Sequence, residues 1–208
     1  MKHPLVVGIV GGVASGKSEV TQHLQQLGAQ VIHADTIGHE ILREAEVIEI
    51  LKNRFGEQIL HPATGQIDRP KVAGIVFGEE PTAISNRRFL ESVTHPRIRQ
   101  RIRESLNTAL VNPDLDMVVL DVPLLIESGW IDSCDRVVFV DSPLDMRRER
   151  ARQRGWSDAQ FDARESSQVD IDRKRIAATD RFDNSGSLEE LHKNVESWWK
   201  SIVPAHRS

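Results

Sequence analysis

The residues with the clearest chemistry lie near the start of the chain, where Gly11-Gly12-Val13-Ala14-Ser15-Gly16-Lys17-Ser18 follows an apolar run over residues 5–10. Glycines let the backbone turn tightly and direct successive N–H groups at phosphate oxygens. A helix beginning near Gly16 adds its positive end, Lys17 can reach the β- and γ-phosphates, and the Ser18 hydroxyl can bind Mg²⁺. The N–H of Glu19 is expected to reach the α-phosphate. The alternative is a chance glycine-rich turn, but the apolar run before it and the helical pattern after it favour a nucleoside triphosphate site.

Two aspartates follow predicted strands and are expected at the same edge of the sheet as this loop. Asp35 can accept the proton of an acceptor hydroxyl as a general base, and it is equally suited to cap the following helix. The two roles are compatible. Asp121 closes another apolar run, and we interpret it as a ligand of Mg²⁺ through water, with a strand-end cap as the alternative.

An arginine-rich stretch covers residues 147–154 and contains five arginines. A charge run is usually a solvated helix face. This one follows a predicted strand at the place where phosphate-loop kinases carry a mobile lid, and arginine binds a transferred phosphoryl group well through its planar, permanently charged fork. A second basic run, over residues 97–103, is interpreted as a solvated face.

Short apolar runs predict the elements that hold these residues in place. Strands are expected at residues 5–10, 30–33, 117–120 and 137–140, with a weaker fifth strand at 181–183. Their continuous apolarity is typical of a parallel sheet covered on both faces, so the fold class is α/β. A further helix is expected at residues 187–202.

The long connection between the second and third strands predicts an insert. It covers residues 36–116, a stretch of 81 residues, and contains helical patterns at 38–52, 69–77, 84–93 and 96–111. Pro96 is expected to start the last of these helices. We expect a single domain over residues 1–208, with a helical acceptor-binding insert at 36–116 and a lid at about 143–175.

Composition bounds the class of protein. The chain has 208 residues, of which 39% are hydrophobic and 28% charged, and its net charge is −4. The acidic balance gives no general attraction to nucleic acid or to an anionic membrane, so neither is expected as a partner. The single cysteine and the lack of a signal-peptide pattern predict a cytoplasmic protein.

Taken in order, the motifs resemble those of the dephospho-CoA kinase family across nearly the whole chain. The resemblance rests on the loop, on Ala34-Asp35 and on the segment Asp121-Val122-Pro123-Leu124-Leu125-Ile126-Glu127. Further matching positions are Gly65-Gln66-Ile67-Asp68-Arg69, Val76-Phe77, Leu90-Glu91, Thr94-His95-Pro96, Arg150, Arg154, Arg164, Gln168, Asp180 and Asn184-Ser185-Gly186.

This resemblance implies a P-loop fold with a five-stranded parallel sheet and an activity, the ATP- and Mg²⁺-dependent phosphorylation of the ribose 3′-hydroxyl of dephospho-CoA to CoA. The implied catalytic residues are Asp35, Lys17 and Arg150. By the same resemblance Arg147 and Asn184 join the loop in binding ATP, Ser18 and Asp121 hold the metal, and Arg69, His95, Leu124 and Glu127 contact the acceptor. Another small-molecule kinase with the architecture of nucleoside monophosphate kinases is the alternative.

The chain departs from the family pattern at a few positions. Glu19 replaces a threonine, and its carboxylate is expected to point away from the phosphates. Ala14 replaces a glycine and must tolerate that residue's backbone angles. Arg147 replaces a glutamine, and the stretch 179–184 is unusually polar. A GTPase is disfavoured because no Asn-Lys-x-Asp sequence occurs, and a nucleic-acid-remodelling ATPase by the acidic charge.

Overall fold

The sheet that carries the loop is described by a computed structural model that covers residues 3–78 and 80–207. Within those ranges it has five parallel strands in the order β2-β3-β1-β4-β5. Their bounds are β1 Leu5–Gly11, β2 Gln30–His33, β3 Met117–Asp121, β4 Arg136–Asp141 and β5 Asp180–Asp183. All five predicted strands are confirmed, and β1, which leads into the phosphate loop, lies at the centre.

The weakly predicted fifth strand forms because only one of its side chains needs to be apolar. Phe182 is buried and packs edge-on against Trp198, with the ring centroids 5.4 Å apart. The charged neighbours find partners at the sheet edge, since Asp180 accepts from the Trp198 indole at 2.9 Å and Arg181 pairs with Asp141 at 2.7 Å. An edge strand tolerates such polarity because one of its sides meets water.

The helices of the described ranges are α1 Lys17–Gln26, α2 Ala34–Ile41, α3 Ala45–Phe55, α4 Arg69–Val76, α5 Pro81–Leu110, α6 Leu144–Gln153, α7 Asp158–Ser166, α8 Ile171–Ala177 and α9 Leu188–Arg207. Short 3₁₀ turns cover Glu57–Ile59 and Trp130–Ser133. The predicted helix at 38–52 is in fact two helices, α2 and α3, and none of the described helices is both long and apolar enough to cross a membrane.

The predicted helix boundary at Pro96 is wrong, because α5 runs without a break through this residue. A proline inside a helix removes one N–H donor and crowds the preceding turn. The N–H that Pro96 lacks would have donated to the Ser92 carbonyl; nearby, the Thr94 hydroxyl donates to the Leu90 carbonyl at 2.9 Å, and the Arg97 guanidinium donates to the Val93 carbonyl at 3.0 Å. A proline in the sequence therefore does not by itself mark where this helix begins.

The chain forms two compact units. One contains the residues up to His33 and those from Leu106 onward, and it holds the whole sheet. The other, Ala34–Ser105, is helical and occupies the part of the chain where the insert was predicted. In the first unit, buried side chains of β1, β3 and β4 pack with α1 and α9, including Val7, Val20, Leu24, Val119 and Leu191. This core holds both ends of the phosphate loop.

Candidate active site

The phosphate loop joins β1 to α1 through two residues in the left-handed region. Gly16 has a φ of 99° and is the N-cap of α1, while Ala14 has a φ of 57°. An alanine in this region is strained by about 1 kcal/mol or more. Its methyl group is buried with Val13, Ala151 and Phe161, so apolar packing offsets the strain. The conformation expected of Ala14 is therefore present.

Lys17 turns back onto its own loop. Its ammonium group donates to the carbonyls of Gly12 at 2.9 Å and Gly11 at 3.2 Å. The pKa of Lys17 is lowered to about 8, mainly by burial of the amine and next by the nearby charge of Lys174, which together outweigh the opposite effect of Asp121. A half-buried cation that donates to backbone carbonyls is poised to move to an anionic ligand.

A buried lysine, Lys174, lies near Lys17, and our sequence analysis missed it. The residue is only 6% exposed, lies on α8, and donates to the Gln168 side chain at 2.6 Å. Burial is also the main cause that lowers its pKa. The α8 helix packs against β1, which ends at the loop. No sequence signal distinguishes Lys174 from the surrounding charged residues, because only the packing of α8 buries it.

Ser18 and Asp121 offer the hard oxygen ligands that Mg²⁺ prefers. Ser18 is exposed in the first turn of α1, and Asp121 is the last residue of β3. One Asp121 carboxylate oxygen, Oδ2, lies 2.9 Å from His33 Nδ1, a contact that follows from the pairing of these residues in the β2–β3 register. The Asp121 side chain is 34% exposed, so water can reach it. No group of three or more acidic, histidine or cysteine side chains suited to a metal occurs among the described residues, so an ion here would complete its shell with phosphates and water.

The side chains of Asn184 and Arg150 both donate hydrogen bonds to the backbone of the phosphate loop, at the Ser15 carbonyl. Asn184 is 6% exposed, and its Nδ2 donates to the Ser15 carbonyl at 2.8 Å. The Arg150 guanidinium donates to the Asn184 carbonyl at 3.1 Å and to the Ser142 hydroxyl at 2.9 Å. A Cβ atom on Gly16 would lie 2.2 Å from Asn184 Nδ2, so only glycine fits beneath this side chain. In this structure both residues contact the loop, and their direct roles toward ATP stay predictions.

Arg147 lies beneath the loop tip. Its guanidinium donates to Glu165 at 2.6 Å and to the Val13 carbonyl at 3.3 Å, and the residue is 4% exposed. Glu165 in turn accepts from the Val13 N–H at 2.9 Å. The sequence pattern marked Arg147 but not its acidic partner.

The Glu19 carboxylate pairs with a different element from the loop. Its Oε1 lies 2.8 Å from Nε2 of His192 on α9, whose ring stacks on that of His23 at 4.0 Å. The Glu19 N–H donates to the Gly16 carbonyl at 3.1 Å. The carboxylate therefore joins α1 to α9, and contact between the N–H and an α-phosphate stays a prediction.

The residues predicted to serve the acceptor lie in both units. In the helical unit, Asp35 is the exposed second residue of α2, His95 is exposed on α5, and Arg69 begins α4 at the edge of an apolar cavity of about 830 Å³. In the sheet unit, Leu124 has a φ of 60° and is 46% exposed, while Glu127 accepts from the Val169 N–H at 2.7 Å.

A parallel sheet with a phosphate loop after its central strand defines the P-loop kinase fold. A solved structure from Thermus thermophilus, TT1252, is similar to the chain, with a TM-score of 0.75 and 33% sequence identity. The match covers 97% of this chain and 99% of the TT1252 chain. The dephospho-CoA kinase from Campylobacter jejuni has the same fold, with a TM-score of 0.71 and 24% sequence identity. That match covers 96% of this chain and 97% of the Campylobacter jejuni chain.

Sequence comparison narrows this class to a family. The family model of dephospho-CoA kinase matches residues 5–190. The dephospho-CoA kinase of Thermobifida fusca is 37% identical over 201 residues, covering 95% of this chain and 96% of that protein. The dephospho-CoA kinase of Rhodopirellula baltica is 35% identical over 198 residues, which covers 95% of this chain and 91% of that protein. The chain belongs to the dephospho-CoA kinase family.

Proposed function

We propose that this chain transfers the γ-phosphoryl group of ATP to the ribose 3′-hydroxyl of dephospho-CoA, giving CoA and ADP. The observation that carries the proposal is an intact phosphate loop with the half-buried Lys17 and the buried Lys174 near it, in a chain that the family model matches over residues 5–190. A cytoplasmic location fits this activity and the single, unpaired cysteine.

The donor half of the site acts by positioning and charge. Loop N–H groups and the positive end of α1 bind the β- and γ-phosphates, and Lys17 leaves its backbone carbonyls to contact them. Ser18, and Asp121 through water, would hold Mg²⁺, which neutralises phosphate charge when bound. Lys174 adds a second positive charge close to Lys17, so the site favours a polyanion.

We assign proton transfer to Asp35. The 3′-hydroxyl oxygen bonds to the γ-phosphorus as the bond from that phosphorus to the β–γ bridging oxygen breaks. ADP leaves with the bond electrons, and the hydroxyl proton passes to the Asp35 carboxylate. The exposed carboxylate, two residues beyond the end of β2, supports this role.

The helical unit supplies a recognition surface for the acceptor. Its cavity is lined mainly by apolar side chains, including Leu42, Ile67 and Phe77, and its lining also includes the charged neighbours Asp68 and Arg69. The Asp68 carboxylate is occupied by the backbone N–H and the ammonium group of Lys71, so the apolar lining and Arg69 suit a long substrate that carries both an organic arm and phosphates. Leu124, held in a left-handed conformation with an exposed side chain, is a further candidate contact.

A product assay with ATP, Mg²⁺ and dephospho-CoA tests the reaction, with nucleoside monophosphates as competing acceptors. Formation of CoA supports the proposal. Phosphorylation of a nucleotide without formation of CoA contradicts it and favours the alternative kinase.

The Asp35→Asn variant tests the base. We expect kcat to fall by about 10²–10⁴-fold while the affinity for ATP stays within about twofold. Asp114→Asn, at another exposed aspartate, is the matched control. A near-normal kcat in Asp35→Asn rules out the role of base.

A further inference from the structure

Two side chains of the predicted lid hold both polar groups of one loop residue. Val13 donates its N–H to Glu165 Oε2 at 2.9 Å and accepts at its carbonyl from Arg147 Nη1 at 3.3 Å. Arg147 lies on α6 and Glu165 on α7, and they pair with each other at 2.6 Å. We call this arrangement of Arg147, Glu165 and Val13 the loop clasp.

The clasp is built into the packing. The Arg147 guanidinium carbon lies 5.6 Å from the centre of the Phe161 ring. On the other side, a Cβ atom on Gly12 would come within 2.7 Å of that carbon. Val13 itself packs on Phe161. The guanidinium is therefore enclosed between the loop backbone and an α7 side chain, where it has little freedom to turn toward a ligand.

Folding stability alone does not account for such a pair. Removing a carboxylate and a guanidinium from water costs about as much as their attraction returns, so apolar side chains of equal volume would stabilise this region as well or better. What the ion pair adds is direction, because its hydrogen bonds fix the orientation of the two peptide groups that flank Val13.

We propose that Arg147 and Glu165 are positioning residues that preorganise the phosphate loop for the β- and γ-phosphates. The inference rests on the proposed function in that the loop binds ATP. Arg147 then acts through the backbone of Val13 and does not itself touch the nucleotide. The lid helices α6 and α7 are coupled to the loop by the same contacts, so a change in either reaches the phosphate site.

A competing model makes the opposite prediction about affinity. If the Glu165 carboxylate instead occupied an N–H that a phosphate must take, its removal would tighten the binding of ATP. If Glu165 positions the loop, its removal weakens binding, since a loop that is no longer preorganised loses entropy when the ligand orders it.

Binding of ATP, ADP and AMP to the full chain, without acceptor, separates these models. The variants are Glu165→Gln, Arg147→Gln and the double variant, with Glu149→Gln as the control, an exposed glutamate on α6. We expect each single variant to lower the affinity for ATP and for ADP by about tenfold, and the affinity for AMP by less than about twofold. A purely structural role would lower the unfolding temperature without this selectivity.

The double variant provides a rescue. Two glutamines can still accept from the Val13 N–H, donate to its carbonyl and bond to each other without a buried unpaired charge. We expect it to bind ATP within about threefold of the original protein. Tighter ATP binding by Glu165→Gln, or a double variant as weak as the single ones, would overturn the proposal.

Two outcomes remain distinct from these. If the single variants do not fold, the ATP affinity of the double variant tests the proposal: a value within about threefold of the original protein supports it, and a weaker one contradicts it. If the original chain binds ATP with the expected pattern but forms no CoA, the proposed acceptor is wrong and the loop clasp stands.

Discussion

Replacing Asn184 by alanine removes the side chain that ties β5 to the phosphate loop. The change deletes the 2.8 Å hydrogen bond to the Ser15 carbonyl and the longer one, 3.3 Å, from Arg150. Arg150 keeps the Asn184 backbone carbonyl and the Ser142 hydroxyl as acceptors, so its charge stays satisfied. The main cost is therefore one buried carbonyl that has lost its best donor.

That cost can be estimated. A buried polar group left without its partner destabilises a protein by about 1–3 kcal/mol. The Ser15 carbonyl retains only a long contact to Arg150 at 3.4 Å, which places the cost near the middle of this range, about 2 kcal/mol. For a chain of 208 residues, each kcal/mol lowers the melting temperature by about 2–4 °C. We expect Asn184→Ala to melt about 4–8 °C lower.

Thermal unfolding followed by circular dichroism measures the effect, with Asn194→Ala as the matched control. Asn194 is exposed on α9, and its replacement is expected to shift the melting temperature by less than about 2 °C. Saturating ATP at about 100 times its Kd should raise the stability of the original protein by about 2.7 kcal/mol. At the same ATP concentration the gain should be smaller in Asn184→Ala, because the loop is less well ordered. A melting temperature within about 1 °C of the original would refute the reasoning.

Two further experiments test the environment of the Cys134 thiol and the role of Lys174 in ATP binding. Partial burial raises the pKa of the Cys134 thiol to about 12, so we expect the native protein to react with a thiol reagent near neutral pH much more slowly than the unfolded chain. Because the thiol ionises in the unfolded chain first, the free energy of unfolding should fall as the pH rises above about 9 toward 12; rapid labelling of the native protein would contradict this burial. Lys174→Met should weaken ATP binding by about tenfold or more, since a buried cation beside Lys17 is lost, and Lys174→Arg should recover part of it. Lys200→Met, at an exposed lysine of α9, is the control, and equal ATP affinities in all three variants would exclude a role for Lys174.

Local sequence determined the elements that place the donor site. The apolar runs that became β1, β3 and β4 are buried on both faces, so their composition alone predicts parallel strands. The phosphate loop was also predictable from local sequence, because its chemistry resides in the consecutive residues 11–18 and can be recognised without any distant partner.

Helix boundaries in the helical unit depended on contacts that a pattern does not encode. Pro96 was expected to start a new helix, yet α5 continues through it, because a proline disfavours a helix interior without forbidding it. In the same way, one predicted helix became α2 and α3 with a turn at residues 42–44 between them.

Only the tertiary structure decided what holds the loop in place. Glu165 on α7 and Asn184 after β5 form hydrogen bonds with it, and the charge of Lys174 on α8 lowers the pKa of Lys17. Each of these residues is separated from the loop by well over a hundred residues of chain. Sequence predicts a residue's chemistry from its type and near neighbours, but burial and hydrogen-bond partners arise from long-range packing. The phosphate loop could therefore be recognised from its own residues, whereas the contacts that keep it in its binding conformation could be identified only after the sheet and lid helices were assembled.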